Sequence, residues 1–255
     1  MSAGPRDDAP ARVRPVPAAP LAAAVELARD RFTEPLRVGD LADAAGYSPH
    51  HFSRLFHAAF GLSPARYLTA VRLAAAKQAL LARDDAVIDV AVAAGFDSLS
   101  SFSRRFHRDV GVRPGALRRL ADRVAEHPLR PFTLGPGAPA VHVRLAGCPP
   151  GPGSRLTWIG WFPRPVPVGL PRAGVLTGGD EAALALCPGS PWLLAFTVPA
   201  TAEAPDLLAP AAPTVAAHPR PVHGPAMITL TFGPAAPGAV PLLPALPQLY
   251  RARAD

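Results

Sequence analysis

Cysteine is nearly absent from this chain. Cys148 and Cys187 are the only two in 255 residues, too few for a disulfide framework and at no metal-ligand spacing. Both read as plain, partly buried thiols of a reducing compartment. Lysine is scarcer still: Lys77 stands alone, so the net charge of +7 is almost all arginine. No apolar run reaches the roughly 18 residues of a membrane-spanning helix. The opening stretch, MSAGPRDDAPARVRPVP, has no apolar run behind a basic start, so it does not read as a secretory signal. A cytoplasmic protein without membrane contact is expected. No long block of like charge occurs, and 49% hydrophobic with 18% charged residues is a globular composition.

What is present falls into two halves, and the length suffices for two domains with separate cores. Residues 1–130 carry 19 Arg or Lys against 14 Asp or Glu, and the remainder carries 7 against 5. That excess favours a polyanionic partner, weakly by itself. Of 34 prolines, nine precede His127 and 25 follow it. The first half can therefore sustain helices, and the second is interrupted too often to do so.

Residues 1–19, rich in proline and alanine, read as a flexible tail. A helical period then appears at Leu21, Val25, Ala28 and Phe32, stopped by Pro35. A short helix over Val38–Ala45 is followed by a turn at Gly46 and by a helix that Ser48 caps and Pro49 opens, ending at Gly61. Ser63-Pro64 begins a long helix through Leu81. Short and longer helices repeat over Val87–Ala94 and Ser98–Val110, and a last helix covers about Gly115–Ala125.

Two stretches superimpose. LADAAGYSPHHFSRLFHAAFGLSPARY in residues 41–67 matches VAVAAGFDSLSSFSRRFHRDVGVRPGAL in residues 90–117. Phe52, Ser53, Arg54, Phe56, His57, Gly61 and Pro64 recur 50 residues later as Phe102, Ser103, Arg104, Phe106, His107, Gly111 and Pro114. Short helix, glycine turn and capped second helix is the layout of a helix-turn-helix, whose second helix lies in the DNA major groove. The phenylalanines belong to its core. His50, Ser53 and Arg54, and likewise Ser100, Ser103 and Arg104, fall on the outer, N-terminal part. Arginine there can bond guanine O6 and N7 together. Either arginine could instead be plain solvated surface, but matched positions in a duplicate favour DNA. His57 and His107 suit phosphate contact or idle surface equally, and Leu99 supports the turn or touches a thymine methyl.

These residues resemble the AraC family of bacterial regulators. The marks include Gly46-Tyr47-Ser48, Phe52-Ser53-Arg54, Gly61-Leu62-Ser63-Pro64, Arg72-Leu73, Gly95-Phe96, Phe102-Ser103-Arg104 and Gly111-x-x-Pro114. The resemblance covers roughly Leu21 to Ala125. It implies a double helix-turn-helix DNA-binding domain over residues 20–126, with base-reading residues at His50, Ser53 and Arg54 and at Ser100, Ser101, Ser103 and Arg104. Helix N-termini at Ser48 and Ser98 would meet phosphate. Where the family usually has Tyr-Arg after the last proline, Leu117-Arg118 stand here, and looser packing is expected at Leu117. A sequence-specific transcription regulator of duplex DNA follows, activator or repressor, with RNA polymerase and a small-molecule effector as candidate partners.

After a linker over 127–140, residues 141–255 show short runs bounded by Pro and Gly: AVHVRLAG, RLTWIGWFP, AGVLTG, WLLAFTVP and MITLTFGP. A mainly-β, sandwich-like domain for effector binding or oligomerisation is expected. Two alternatives stand beside it: a gyrase-inhibitor-like α/β sensor, for which there is little helix, and a protein-interaction module without ligand. Trp158, Trp161, Phe162, Trp192 and Phe196 line a pocket or, as the preferred reading, pack a core. DNA-alkyl repair would need an activated cysteine, and neither Cys148 nor Cys187 has a neighbouring base. No enzyme activity, cofactor or metal site is expected.

Overall fold

The computed structural model describes residues 19–127, 129–148 and 155–245. Of the expected tail, residues 1–18 lie outside this range, as do residues 246–255 of the expected second domain. Among the described residues no helix is long and apolar enough to cross a membrane.

Among the described residues, seven helices occupy the first half: α1 (Ala19–Asp30), α2 (Val38–Ala44), α3 (Pro49–Phe60), α4 (Pro64–Ala82), α5 (Val87–Ala93), α6 (Leu99–Val110) and α7 (Pro114–Glu126). Their limits follow the punctuation in the sequence. Proline opens α3, α4 and α7, where its missing N–H costs no helical bond. Gly61 and Gly111 end α3 and α6 in the left-handed conformation, and each N–H bonds back to the repeated histidine carbonyl, His57 or His107.

The duplication extends to packing. Phe52 and Phe56 meet at 5.4 Å between ring centres, tilted by 56°; Phe102 and Phe106 meet at 5.4 Å and 55°. The first pair is buried with Leu41, Ala42 and Tyr67, the second with Val90, Ala91 and Leu117. Leu117 is completely buried, so the looseness expected there is corrected. Its neighbours Leu80, Phe102 and Leu120 are hydrocarbon, and a leucine fills the place without needing a hydrogen-bond partner.

Two arginines fix the ends of the units. Arg72 on α4 donates to the carbonyls of Phe32 and Glu34, both at 2.6 Å, and so ties α4 to the end of α1. Arg118 on α7 donates to the carbonyls of Leu80, Arg83 and Asp85 at 3.0, 2.7 and 2.6 Å, gathering the loop between α4 and α5. Carbonyls at the open end of a helix need such donors.

The second half contains β1 (Phe132–Leu134), β2 (Val141–Ala146), β3 (Arg155–Phe162), β4 (Ala173–Thr177), β5 (Glu181–Leu184), β6 (Trp192–Pro199), α8 (Ala204–Leu208), β7 (Thr214–Ala217), β8 (Ala226–Thr231) and β9 (Gly233–Pro234). β1, within the stretch expected as linker, pairs with β4. A six-stranded sheet runs β1-β4-β3-β6-β7-β9, and a three-stranded one runs β5-β2-β8. The pairs are antiparallel except β2 with β8. Ile159 and Trp161 of β3 pack with Val141, Val143 and Ile228 of the small sheet. Alternate residues Leu156 and Trp158 face the other way, toward Val124 of α7 and Leu207 of α8. Period-2 alternation thus makes the larger sheet the middle layer, between the small sheet and the helices.

The halves share a core. Val166, Val168, Leu208, Leu243 and Ala245 pack among the residues of the second helix-turn-helix. After β9 the chain forms a strap, residues 235–245, along the helical half. Tyr67 donates its hydroxyl to the Gly238 carbonyl at 2.9 Å, Arg29 donates to the Ala239 carbonyl at 2.8 Å, and the Ala245 N–H donates to the Val110 carbonyl at 2.9 Å.

Candidate nucleic-acid interface

In each unit the second helix packs on its phenylalanines and turns a polar edge outward. His50 and Arg54 on α3 are exposed, with Ser53 half-buried between them. On α6, Ser100 and Arg104 are exposed, and Ser101 and Ser103 are half-buried. The sequence-derived residues therefore fall on corresponding outward edges of α3 and α6. Among the described residues, neither Arg54 nor Arg104 makes a hydrogen bond or ion pair.

The serines are less uniform. Ser98 Oγ accepts from the Ser101 N–H at 3.4 Å, whereas Ser48, at the same helix position, makes no side-chain cap bond. The cap read at Ser48 is thus one of backbone conformation only, and its exposed hydroxyl remains available. Ser53 donates to the Pro49 carbonyl at 2.8 Å, one turn back in its own helix.

The neighbouring basic residues of α6 are occupied. Arg105 donates to Thr69 Oγ1 on α4 at 3.2 Å. Arg108 binds the buried Asp109 carboxylate with both arms, at 2.8 and 2.7 Å, and Arg66 of α4 approaches that carboxylate at 3.5 Å. Asp109 thereby joins α6 to α4, and Arg104 keeps its guanidinium outward. Sequence reasoning missed Arg105 as a link between α6 and α4.

The β half contacts the opposite ends of these helices. Val166 lies against Gly61 at the end of α3, where a Cβ would stand 3.1 Å from it. The Gly169 N–H donates to the Asp109 carbonyl near the end of α6 at 3.3 Å. The N-terminal edges of α3 and α6 stay uncovered.

A second site lies between the halves. A cavity of about 700 Å³ is bounded by α3 and α4, by one face of the larger sheet and by the strap. Trp158, Phe162 and Phe196 line it; Trp161 does not, being wholly buried between the sheets with Nε1 bonded to the Ala185 carbonyl at 2.9 Å. Of the five aromatic residues left open between pocket and core, these three line the cavity and Trp161 packs the core, whereas Trp192 is half-buried and lies in neither. Lys77 also lines the cavity, is 1% exposed, and donates to the carbonyls of Leu243 and Pro244 at 3.0 and 3.4 Å. Its place was visible in the spacing Leu73, Ala76, Lys77, Leu80, which sets a lysine on an apolar helix face.

A family model for a helix-turn-helix domain matches residues 41–120. The HTH-type transcriptional regulator Rv1931c of Mycobacterium tuberculosis is 37% identical over 83 residues, 32% of this chain and 32% of that protein. The HTH-type transcriptional activator AarP of Providencia stuartii is 34% identical over 90 residues, 35% of this chain and 66% of that protein. The chain spans about a third of the length of the first curated relatives it matches. Among solved structures, the DNA-binding domain of AdpA in complex with a target DNA is 32% identical, with a TM-score of 0.40; the match covers 44% of this chain and all of that one. Residues 41–120 of this chain are thus a helix-turn-helix domain of the AraC type.

Proposed function

We propose that this protein regulates transcription by placing α3 and α6 in two successive major grooves of duplex DNA. The observation that carries the reading is the pair of exposed edges, His50 with Arg54 and Ser100 with Arg104, repeated on two helices and left uncovered by the β half. α4 joins the two units with 19 residues, a length of about 28 Å at 1.5 Å per residue. That suits heads that read grooves roughly 34 Å apart on one face of the duplex. Arg54 and Arg104 reach base edges, Ser48 and Ser98 bring helix N-termini to phosphate, and the serines at 53, 100, 101 and 103 add shorter contacts.

Residues 20–126 form the reading unit, and the β half sets its activity in response to a small molecule. RNA polymerase is the proposed protein partner at the promoter. The DNA-alkyl repair alternative is weakened at Cys148, where burial pushes the thiol above its ordinary range and so makes it a poorer nucleophile.

The test is binding of the purified chain to its own upstream DNA and to scrambled duplex across a salt series. Tighter binding to the upstream duplex, weakening steeply with salt, is expected. Equal affinity for both would remove the specific reading, and no binding to either would remove the function.

A further inference from the structure

The cavity between the halves carries charge of one sign. Arg29 and Lys77 line it, and among the described residues no Asp or Glu does. Arg29 is engaged, donating to Tyr67 Oη at 3.0 Å and to the Ala239 carbonyl. Lys77 is different. Two strap carbonyls take two of its ammonium hydrogens, and among the described residues no carboxylate pairs with it and no acceptor takes the third. An ammonium buried without a counter-ion is costly, and an anion beside it recovers much of that cost. The remaining walls are rings and small aliphatic groups, including Trp158, Phe162, Leu194 and Phe196. The volume of about 700 Å³ lies in the ordinary range for small-molecule sites.

We propose that this cavity binds a small apolar molecule bearing one anionic group, its charge at Lys77 and its body against the rings of β3 and β6. The proposal rests on the reading that the β half modulates DNA binding. The strap supplies the coupling, because it forms one wall of the cavity and also bonds Tyr67 and Lys77 on α4 and Val110 at the end of α6. Filling the cavity acts on both reading units at once.

Burial lowers the Lys77 ammonium to about 7. Near neutral pH it is therefore only partly charged, and an arriving anion draws a proton onto it. The other charged group lining the site is Arg29. Binding is thus accompanied by proton uptake and tightens as pH falls.

Octanoate and 1-octanol, equal in chain length and different in charge, are the probes. They are titrated calorimetrically into the full chain near neutral pH, in buffers of different ionisation enthalpy. Octanoate is expected to bind at least roughly tenfold more tightly than 1-octanol and to take up a fraction of a proton. Lys77→Met is expected to abolish that preference while retaining 1-octanol binding, which also reports an intact fold. Ala75→Phe, on a lining residue of α4, is expected to remove both. Equal binding of the two probes, or a preference that survives Lys77→Met, overturns the site. DNA affinity is then measured with and without octanoate. Selective octanoate binding with unchanged DNA affinity keeps the site and overturns the modulation reading instead.

Discussion

Tyr67 and Gly238 are 171 residues apart in sequence, and the Tyr67 hydroxyl donates to the Gly238 carbonyl at 2.9 Å. The same hydroxyl accepts from Arg29 Nε at 3.0 Å, so one buried side chain joins α1, α4 and the strap. Tyr67→Phe keeps the ring and takes this partner from the Arg29 Nε–H and the Gly238 carbonyl. A loss of about 1–3 kcal/mol is expected, read as a fall of roughly 2–4 °C in Tm for each kcal/mol. An unchanged Tm would mean that water replaces the hydroxyl fully.

Arg54→Ala is expected to weaken binding to the upstream DNA by about 1–3 kcal/mol and to weaken scrambled duplex much less. Arg104→Ala is expected to act in the same direction. Competition gel shifts at fixed salt separate the two losses. Equal losses on both duplexes would assign the arginine to phosphate rather than to a base.

Lys77 sets a pH dependence of stability. Burial holds its ammonium at about 7, down from the ordinary 10.5. Between those values the unfolded chain binds the extra proton, so the contribution of this group to stability rises with pH across that window. Below about 7 both states are protonated, and the folded one carries the full cost of the buried charge. Urea midpoints measured near pH 7 and near pH 9.5 should therefore differ less in Lys77→Met than in the parent. A difference as large in the variant would assign the trend to other groups.

The two turn glycines are equivalent in sequence and unequal in space. Gly46 has φ of +71° with nothing within 4 Å of an added Cβ. Gly95 has φ of +78°, and its Cβ would lie 2.8 Å from the Phe32 carbonyl oxygen and 2.9 Å from that of Thr33. Gly46→Ala should cost only the left-handed penalty of about 1–2 kcal/mol. Gly95→Ala should cost clearly more, because backbone must also move. Thermal unfolding of the two variants side by side checks the order, and equal shifts would show that the Phe32-Thr33 backbone facing the turn after α5 yields easily.

The helical half was legible because its signals are local and duplicated. Caps, Pro at the first turn and glycine stops lie next to the helices they bound, and the second copy repeats the first. The outward edges at Arg54 and Arg104 followed from the same period. In the β half, only strands with their own alternation could be seen, as in RLTWIGWF and WLLAFTVP. β5, with the sequence EAAL, has the composition of a helix, and β9 has only Gly233 and Pro234. Their extended form is set by pairing with β2 and β7, partners that no local pattern reveals. The strap was unreadable for a related reason. A run rich in Pro and Ala looks like linker, and it acquires meaning only where Lys77, Tyr67 and Arg29 meet it.

The return of the strap to α1, α4 and α6 also orders events during synthesis. The helices form from near neighbours and can condense as soon as they leave the ribosome. Until residues 238–245 follow, Lys77 and Tyr67 lack their carbonyl partners, and the apolar surface later covered by Leu243 and Ala245 stays open. The two helix-turn-helix units are therefore assembled early and completed late, leaving an interval in which the nascent chain is sticky and its two units are not yet fastened by a common band.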